Sequence, residues 1–389
     1  MENIMAITGN TAAALGAMLA KPDIIAAYPI TPQSSVVEYL AKVSANGQMN
    51  AKMIQVESEH SAMSVLQGAA LAGGRTFTAT SAQGLALMYE PYFRTAGTRI
   101  PMVMTIAGRD MSSPSTIWGA QQDSICVRDA GWIQAHCESN QEILDMVIQG
   151  YKIAEDPEVL LPVNICYDGF YLSHMMERVE VPDEKMVDAF LPPYTRVLLD
   201  PDYPLTIDAV TPSDDFMEYR KMHLKAMQKA LEVIDRVDEE FVGAFGRKYG
   251  GVIDEYRCAD AEIVLVAMGS MCGAARDAID IKREEGIKVG LIKIRFIRPF
   301  PVHKIRQALK DKKAMAVVDR NVCFGWNTGV LYQETLASIN NCTYKLSTIP
   351  VIGGLGGADI TLRHFLNIID SLEQGKTAAK EYHTVWLTK

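Results

Sequence analysis

The chain has 389 residues, 48% hydrophobic and 22% charged, with a formal net charge of -9. That length predicts about two domains at roughly 150 residues each, and the hydrophobic share is enough for packed cores rather than general disorder. The acidic balance, with no basic run of five or more residues, argues against a nucleic-acid surface. Residues 1–19 lack the charged start and continuous apolar stretch of a secretory signal. No run of about 18 apolar residues offers a membrane span, so a soluble cytoplasmic protein is expected.

The seven cysteines, at 126, 137, 166, 258, 272, 323 and 342, include no C-x-x-C pair. Disulfide frameworks and iron-sulfur ligation need clustered spacings, so these thiols are expected to be reduced and mostly in the core. If the protein takes part in electron transfer, another chain must hold the metal centres. The seven histidines are equally dispersed, and no metal site is expected.

In chain order, residues 5–7 predict a short strand, with Gly9, Asn10 and Thr11 capping an alanine-rich helix to about Leu19. Residues 24–28 predict a strand that runs into Tyr28-Pro29-Ile30-Thr31-Pro32, where two prolines fix an extended turn. Ser34 or Ser35 caps a helix carrying Val36, Val37, Tyr39, Leu40 and Val43. Met53, Ile54 and Val56 close a buried strand, and Ala62, Val65, Leu66, Ala69 and Ala70 mark the apolar face of the next helix. Residues 75–80 form a β-rich strand ending in a polar turn with Gln83 and Gly84, before a helix from Leu85. Residues 100–106 form another strand, ending at Gly108-Arg109-Asp110. A long loop, 111–127, precedes a strand at 132–135, a helix from about Gln141, and a strand at 163–167.

Six alternations of strand and helix predict a parallel sheet covered on both faces. Its carboxyl edge would gather the turns at 28–32, 83–84 and 108–110 with Glu59 into a crevice. Glu59 sits where strand becomes helix, a position that favours a carboxylate. Two readings of it stand open: a solvated partner of the helix dipole, or an acid held in the crevice.

From Leu172 to about Asp214 periodicity vanishes and prolines accumulate, predicting a linker or wrapping arm. A long helix follows with Met227, Leu231, Ile234, Val237, Phe241 and Phe245 as a packing stripe, ended by Gly250 and Gly251. From about Ala261 strand and helix alternate again. The expected division is 1–171, an arm with connecting helix at 172–257, and a second α/β domain at 258–389. Gly353-Gly354-Leu355-Gly356-Gly357 is out of register for G-x-G-x-x-G and makes a weak dinucleotide motif.

Taken together, these segments resemble the α subunit of multi-subunit 2-oxoacid:ferredoxin oxidoreductases of the pyruvate:ferredoxin oxidoreductase type. The matching stretches are AAYPITP at 26–32, ESEHSA at 57–62, TSAQGLALM at 80–88, AGRD at 107–110, QQDSICVRDAGWIQ at 121–134, LLPVNICYDGF at 160–170, FLPPY at 190–194, IRFIRPFP at 294–301, VVDRN at 317–321 and GGLGG at 353–357. They span nearly the whole chain in the family's order.

The resemblance implies two doubly wound α/β domains, a thiamine diphosphate pyrimidine-binding domain followed by one like the transketolase C-terminal domain. It implies oxidative decarboxylation of a 2-oxoacid, pyruvate first, with coenzyme A as co-substrate. Thiamine diphosphate would be shared with a β subunit, with Mg²⁺ and [4Fe-4S] clusters on partner chains of β, γ and δ type and ferredoxin or a similar acceptor taking the electrons. Glu59 would hydrogen-bond the pyrimidine ring and favour the imino form that generates the thiazolium ylid, whereas Glu57 would not. Thr31 and Arg109 match substrate positions, suiting the planar carboxylate of a 2-oxoacid. Tyr28, Pro29, Gln83 and Gly84 match the cofactor pocket. In the plainer alternative, Arg109 pairs with Asp110 or Asp123 and Thr31 caps its turn. Two departures, Ala120 in place of an acidic or amide residue and Gln33 after YPITP, leave room for a bulkier substrate such as phenylglyoxylate or a branched 2-oxoacid. A non-catalytic scaffold subunit is the remaining alternative.

Overall fold

A computed structural model describes residues 3–194, 198–375 and 383–388. The N-terminal part runs β1 (Asn3–Thr8), α1 (Gly9–Ala20), β2 (Ile24–Ala27), α2 (Ser34–Ala45), β3 (Lys52–Gln55), α3 (Glu59–Leu71), β4 (Thr76–Thr80), α4 (Ala82–Leu87), α5 (Tyr89–Gly97), β5 (Val103–Gly108), α6 (Gln122–Cys126), β6 (Ile133–His136), α7 (Asn140–Ala154) and β7 (Val163–Asp168). Then come β8 (Met176–Val181), α8 (Glu184–Phe190) and the long α9 (Ser213–Phe245). The C-terminal part holds β9 (Ile253–Tyr256), β10 (Ile263–Ala267), α10 (Met271–Glu284), β11 (Val289–Ile294), β12 (Phe296–Arg298), α11 (Val302–Leu309), β13 (Ala314–Asp319), α12 (Val330–Ile339), β14 (Ser347–Ile352), α13 (Leu362–Glu373) and β15 (Val385–Trp386).

Among the described residues, the first sheet has seven strands in the order β12-β6-β7-β5-β4-β2-β3, all parallel except β12. Its central strands β4, β5 and β7 are buried at every position, as expected where helices cover both faces. One face packs against α1, α7 and α9 through Ala13, Ala17, Val147 and Val233. The approach of α1 to α7 is close: a Cβ on Gly16 would lie 2.7 Å from the Leu144 carbonyl oxygen, so only glycine fits. The other face packs against α3 and α5, where Tyr92 stacks on Trp132 with ring centroids 4.4 Å apart. The second sheet runs β15-β14-β13-β10-β11-β9, parallel except for β9.

Several local expectations change. Thr8, rather than Gly9, caps α1, its side chain accepting from Thr11 N at 3.2 Å. The strand at the N-terminus leaves the main sheet and pairs antiparallel with β8. The stretch expected to be irregular after Leu172 therefore carries both β8 and α8. The helix expected from Leu85 begins three residues earlier and divides at Met88; Pro91 falls in the first turn of the second piece, where its missing N–H costs nothing. The long helix ends on Gly246, which takes the left-handed conformation at φ 73°, instead of on Gly250 and Gly251.

Two sets of buried contacts join the two sheets. Glu142 on α7, Lys293 on β11 and Arg295 beyond it form a network with contacts of 2.7 and 2.8 Å. Asp168 at the end of β7 receives Arg320 at 3.0 Å and the Ser270 N–H at 2.9 Å. Near it, the GGLGG turn closes on the first domain: Gly356 N–H donates to Asp110, Gly357 N–H to the Gly119 carbonyl at 2.9 Å, and Tyr171 Oη to the Gly357 carbonyl at 2.9 Å. The amides of Gly356 and Gly357 are committed to this clasp and that of Gly353 to the Asp319 carbonyl, which removes the dinucleotide reading.

Candidate active site

The neighbouring strands β5, β4, β2 and β3 release the chain along one sheet edge, and the turns and helix starts that follow carry Tyr28, Pro29, Thr31, Glu59, Gln83, Gly84 and Arg109. β2 pairs on one side with β3 and on the other with β4, the kind of order reversal at which α/β sheets open a crevice.

Glu59 is the first residue of α3. Ser58 caps the helix by accepting from Ser61 N at 3.2 Å, which turns the Glu59 side chain inward while Glu57 stays exposed and takes the Ser61 hydroxyl at 2.6 Å. Glu59 is only 5% exposed. Burial raises its carboxyl above the ordinary glutamate range, because no cation offsets the loss of water. Among the described residues no side chain donates to it. Gly84 on the adjoining turn faces it: a Cβ there would fall 2.9 Å from Glu59 Cδ and 2.7 Å from Thr80 Oγ1. The glycine is thus required by the glutamate itself.

Arg109 leaves β5 on the other side of that turn and is 8% exposed. Its Nη1 donates to the Thr31 carbonyl at 2.7 Å, and its Nη2 to Gln83 Oε1 at 3.0 Å and the Thr116 carbonyl at 2.9 Å. Gln83 also donates to Ser112 Oγ at 2.9 Å. Neither Asp110 nor Asp123 makes an ion pair with the guanidinium among the described residues. The Arg109 Nε hydrogen is buried without a partner, a costly state for a cation donor unless a ligand completes it. Thr31 is exposed, with Tyr28 and Pro29 beside it at the crevice mouth. The buried Gln33 braces this turn by donating to the Tyr28 carbonyl at 3.0 Å.

The family models match in the same order as these elements. Residues 15–239 match pyruvate flavodoxin/ferredoxin oxidoreductase, thiamine diphosphate-binding, and residues 261–365 match pyruvate:ferredoxin oxidoreductase core domain II. The chain belongs to the α-subunit family of 2-oxoacid:ferredoxin oxidoreductases. The α subunit of NADH-dependent phenylglyoxylate dehydrogenase from Aromatoleum evansii is 48% identical over 100% of this chain and 95% of its own. Pyruvate synthase subunit PorA from Methanocaldococcus jannaschii is also 48% identical, over 100% of this chain and 98% of its own. A solved 2-oxoglutarate:ferredoxin oxidoreductase from Magnetococcus marinus shares the fold with a TM-score of 0.73 at 20% identity, covering 95% of this chain and 65% of that one. A split-gene transketolase superposes with a TM-score of 0.57 at 13% identity, over 95% of this chain and 99% of that one.

In this oxidoreductase α subunit, the sequence offers Asp123 only as an ion-pair partner of Arg109, whereas it holds the crevice from behind through backbone N–H groups. Asp123 on α6 is fully buried and accepts from the Ala82 and Arg109 N–H groups at 2.9 and 3.0 Å. Ala120, expected to shape the substrate pocket, is fully buried instead. Its N–H donates to the Gly108 carbonyl at 3.3 Å. No helix among the described residues is long and apolar enough to cross a membrane.

Proposed function

We propose that this subunit supplies the pyrimidine side of a thiamine diphosphate site in a complex that oxidatively decarboxylates a 2-oxoacid, pyruvate foremost, to its acyl-CoA. One observation carries the reading: a carboxylate that is buried, unpaired and pressed against a glycine, on the same edge as an arginine with an unsatisfied Nε. The bound cofactor would supply the carbanion that attacks the 2-oxo carbon. Glu59 would hold a proton between itself and the pyrimidine nitrogen, and its raised pKa suits a group that shares rather than surrenders that proton. Gly84 would leave room for the ring over the carboxylate, with Tyr28 and Pro29 closing the mouth.

Arg109 and Thr31 would bind the substrate carboxylate and carbonyl, Gln83 aiming the guanidinium through its 3.0 Å bond. The diphosphate with its Mg²⁺, and the [4Fe-4S] clusters that carry electrons to ferredoxin or a similar acceptor, are assigned to β, γ and δ-type partner subunits in the cytoplasm. Scattered cysteines in the chain fit that division. Phenylglyoxylate is the second candidate substrate, because its dehydrogenase subunit is as similar to this chain as the pyruvate synthase subunit is.

The test is a panel of 2-oxoacids given to the purified complex, with Glu59→Gln alongside. Pyruvate is expected to give the highest kcat/KM, and the variant to lose about 10² to 10⁴-fold in kcat. Full turnover by Glu59→Gln would leave the chain as a scaffold.

A further inference from the structure

We propose that Asp123 is the positioning residue of this crevice, locking the turn on the cofactor side and the arginine on the substrate side into one register through a single carboxylate oxygen. The inference rests on the reading of the crevice as the active site.

β4 and β5 pair in register up to Thr80 opposite Ile106. Beyond that pair the strands diverge, β4 into the Ala82-Gln83-Gly84 turn and β5 into Gly108-Arg109. The Ala82 and Arg109 N–H groups lie past the last ladder pairs, β5 staying paired with β7 only through Gly108, and a buried N–H must find another acceptor. Asp123 Oδ2 takes both, from Ala82 at 2.9 Å and from Arg109 at 3.0 Å, while Oδ1 takes Ser124 N–H at 2.7 Å. That atom, together with the Ser81 hydroxyl that donates to the Ala107 carbonyl at 2.7 Å, sets the spacing between the backbone carrying Gln83 and Gly84 and the backbone carrying Arg109. Ala82 has φ 38°, a left-handed backbone that a residue with a Cβ keeps only when its surroundings hold it there. The bond from Asp123 to its N–H is such a hold. Burial of this carboxyl pushes its pKa up to about 7 against three backbone donors, so the acid sits in a place that packing alone would not favour.

The arrangement makes an unusual demand: one side chain that touches neither ligand should control the binding of both. The experiment uses the assembled complex with Asp123→Ala and Asp123→Asn, measuring the Kd of thiamine diphosphate by fluorescence quenching, the KM and kcat for pyruvate, and the Tm. In Asp123→Ala, Kd and KM are both expected to rise about tenfold and kcat/KM to fall about 10²-fold, as for a sub-ångström displacement of binding groups. The Asn oxygen can still accept from Ala82 and Arg109, so Asp123→Asn should recover both constants to within about threefold of the unsubstituted enzyme. A Tm loss with Kd and KM unmoved would overturn the proposal, and so would a rise in only one of them. If Asp123→Ala does not assemble, Asp123→Ser, whose hydroxyl is too short to accept from both N–H groups, decides instead: Kd and KM both within about threefold of the unsubstituted enzyme would overturn the idea. Failure of the site reading itself looks different, because the unsubstituted complex would then bind no thiamine diphosphate.

Discussion

Replacing Gly84 with alanine is the most discriminating single change the geometry offers. The added Cβ would lie 2.9 Å from Glu59 Cδ, whereas carbon atoms in contact sit about 3.5–4.0 Å apart. Thr80 Oγ1, 2.7 Å away on the other side, belongs to a fully buried strand and cannot yield. The Glu59 carboxylate must therefore move by roughly 0.6–1 Å. Overpacking of this kind costs about 1–3 kcal/mol, but alanine gains about 1 kcal/mol over glycine inside a helix, and position 84 is helical. The net stability loss should be small, a Tm change of a few degrees at most. Activity should respond far more, since about 1 Å of misplacement at a reacting group costs on the order of 10²-fold. The assay is kcat for pyruvate and Kd for thiamine diphosphate in the purified Gly84→Ala complex, next to its melting curve. A variant that melts normally and turns over within about twofold of the unsubstituted enzyme would refute the claim that Glu59 must stand where it stands.

Arg109→Lys keeps the charge but cannot reach Thr31, Thr116 and Gln83 together, and the expected result is a KM for the 2-oxoacid about 10 to 10²-fold higher with a smaller change in kcat. Glu142→Gln removes the carboxylate that Lys293 and Arg295 share, leaving Lys293 with Glu138 at 2.9 Å and Arg295 with Asp238 at 3.6 Å, so chemical denaturation should show a loss of about 3 kcal/mol. Burial alone would raise the Glu142 carboxyl, yet the two cations more than offset it and hold the pKa at about 2. Its stabilisation is therefore complete above the ordinary glutamate value of 4.5 and disappears as pH falls toward 2. Asp319 behaves oppositely: burial pushes its carboxyl from 3.8 up to about 7, despite the Leu331 and Tyr332 N–H groups it caps. A raised folded value means that stability falls as pH rises from about 4 to about 7, by up to ~4 kcal/mol. Asp319→Asn should flatten that stretch of a Tm-against-pH curve; an unchanged slope would contradict the assignment.

The crevice was legible because its residues announce themselves locally. Glu59 ends an apolar run and begins a small-residue helix, and the paired prolines around Thr31 leave no alternative to an extended turn. Arg109 could be placed by its strand alone, but which acceptors it would meet could not, since Thr31 and Thr116 reach it only through the tertiary fold. Asp123 was legible only as a possible ion-pair partner of Arg109; that it accepts backbone N–H groups instead gave no signal, since its five-residue helix is too short for periodicity to show. The strand at Met176–Val181 was hidden for a related reason. It alternates weakly, lies half exposed and has one partner, so neither face imposes the apolar pattern that marks a core strand. Glu142, Lys293 and Arg295 look like surface charges in the sequence; only their mutual neutralisation makes burial tolerable, and that requires knowing which residues lie opposite across some 150 positions.

The short strand β12 follows β11 of the second sheet directly in the chain yet completes the edge of the first, bonding antiparallel to β6. A gene cut between the two modules would therefore deliver an N-terminal product with a naked hydrogen-bonding flank at Ile133–His136, open to any extended peptide in the cell. Joint translation in one polypeptide guarantees that this flank is sealed by its own chain, at an effective concentration no separate protein could match.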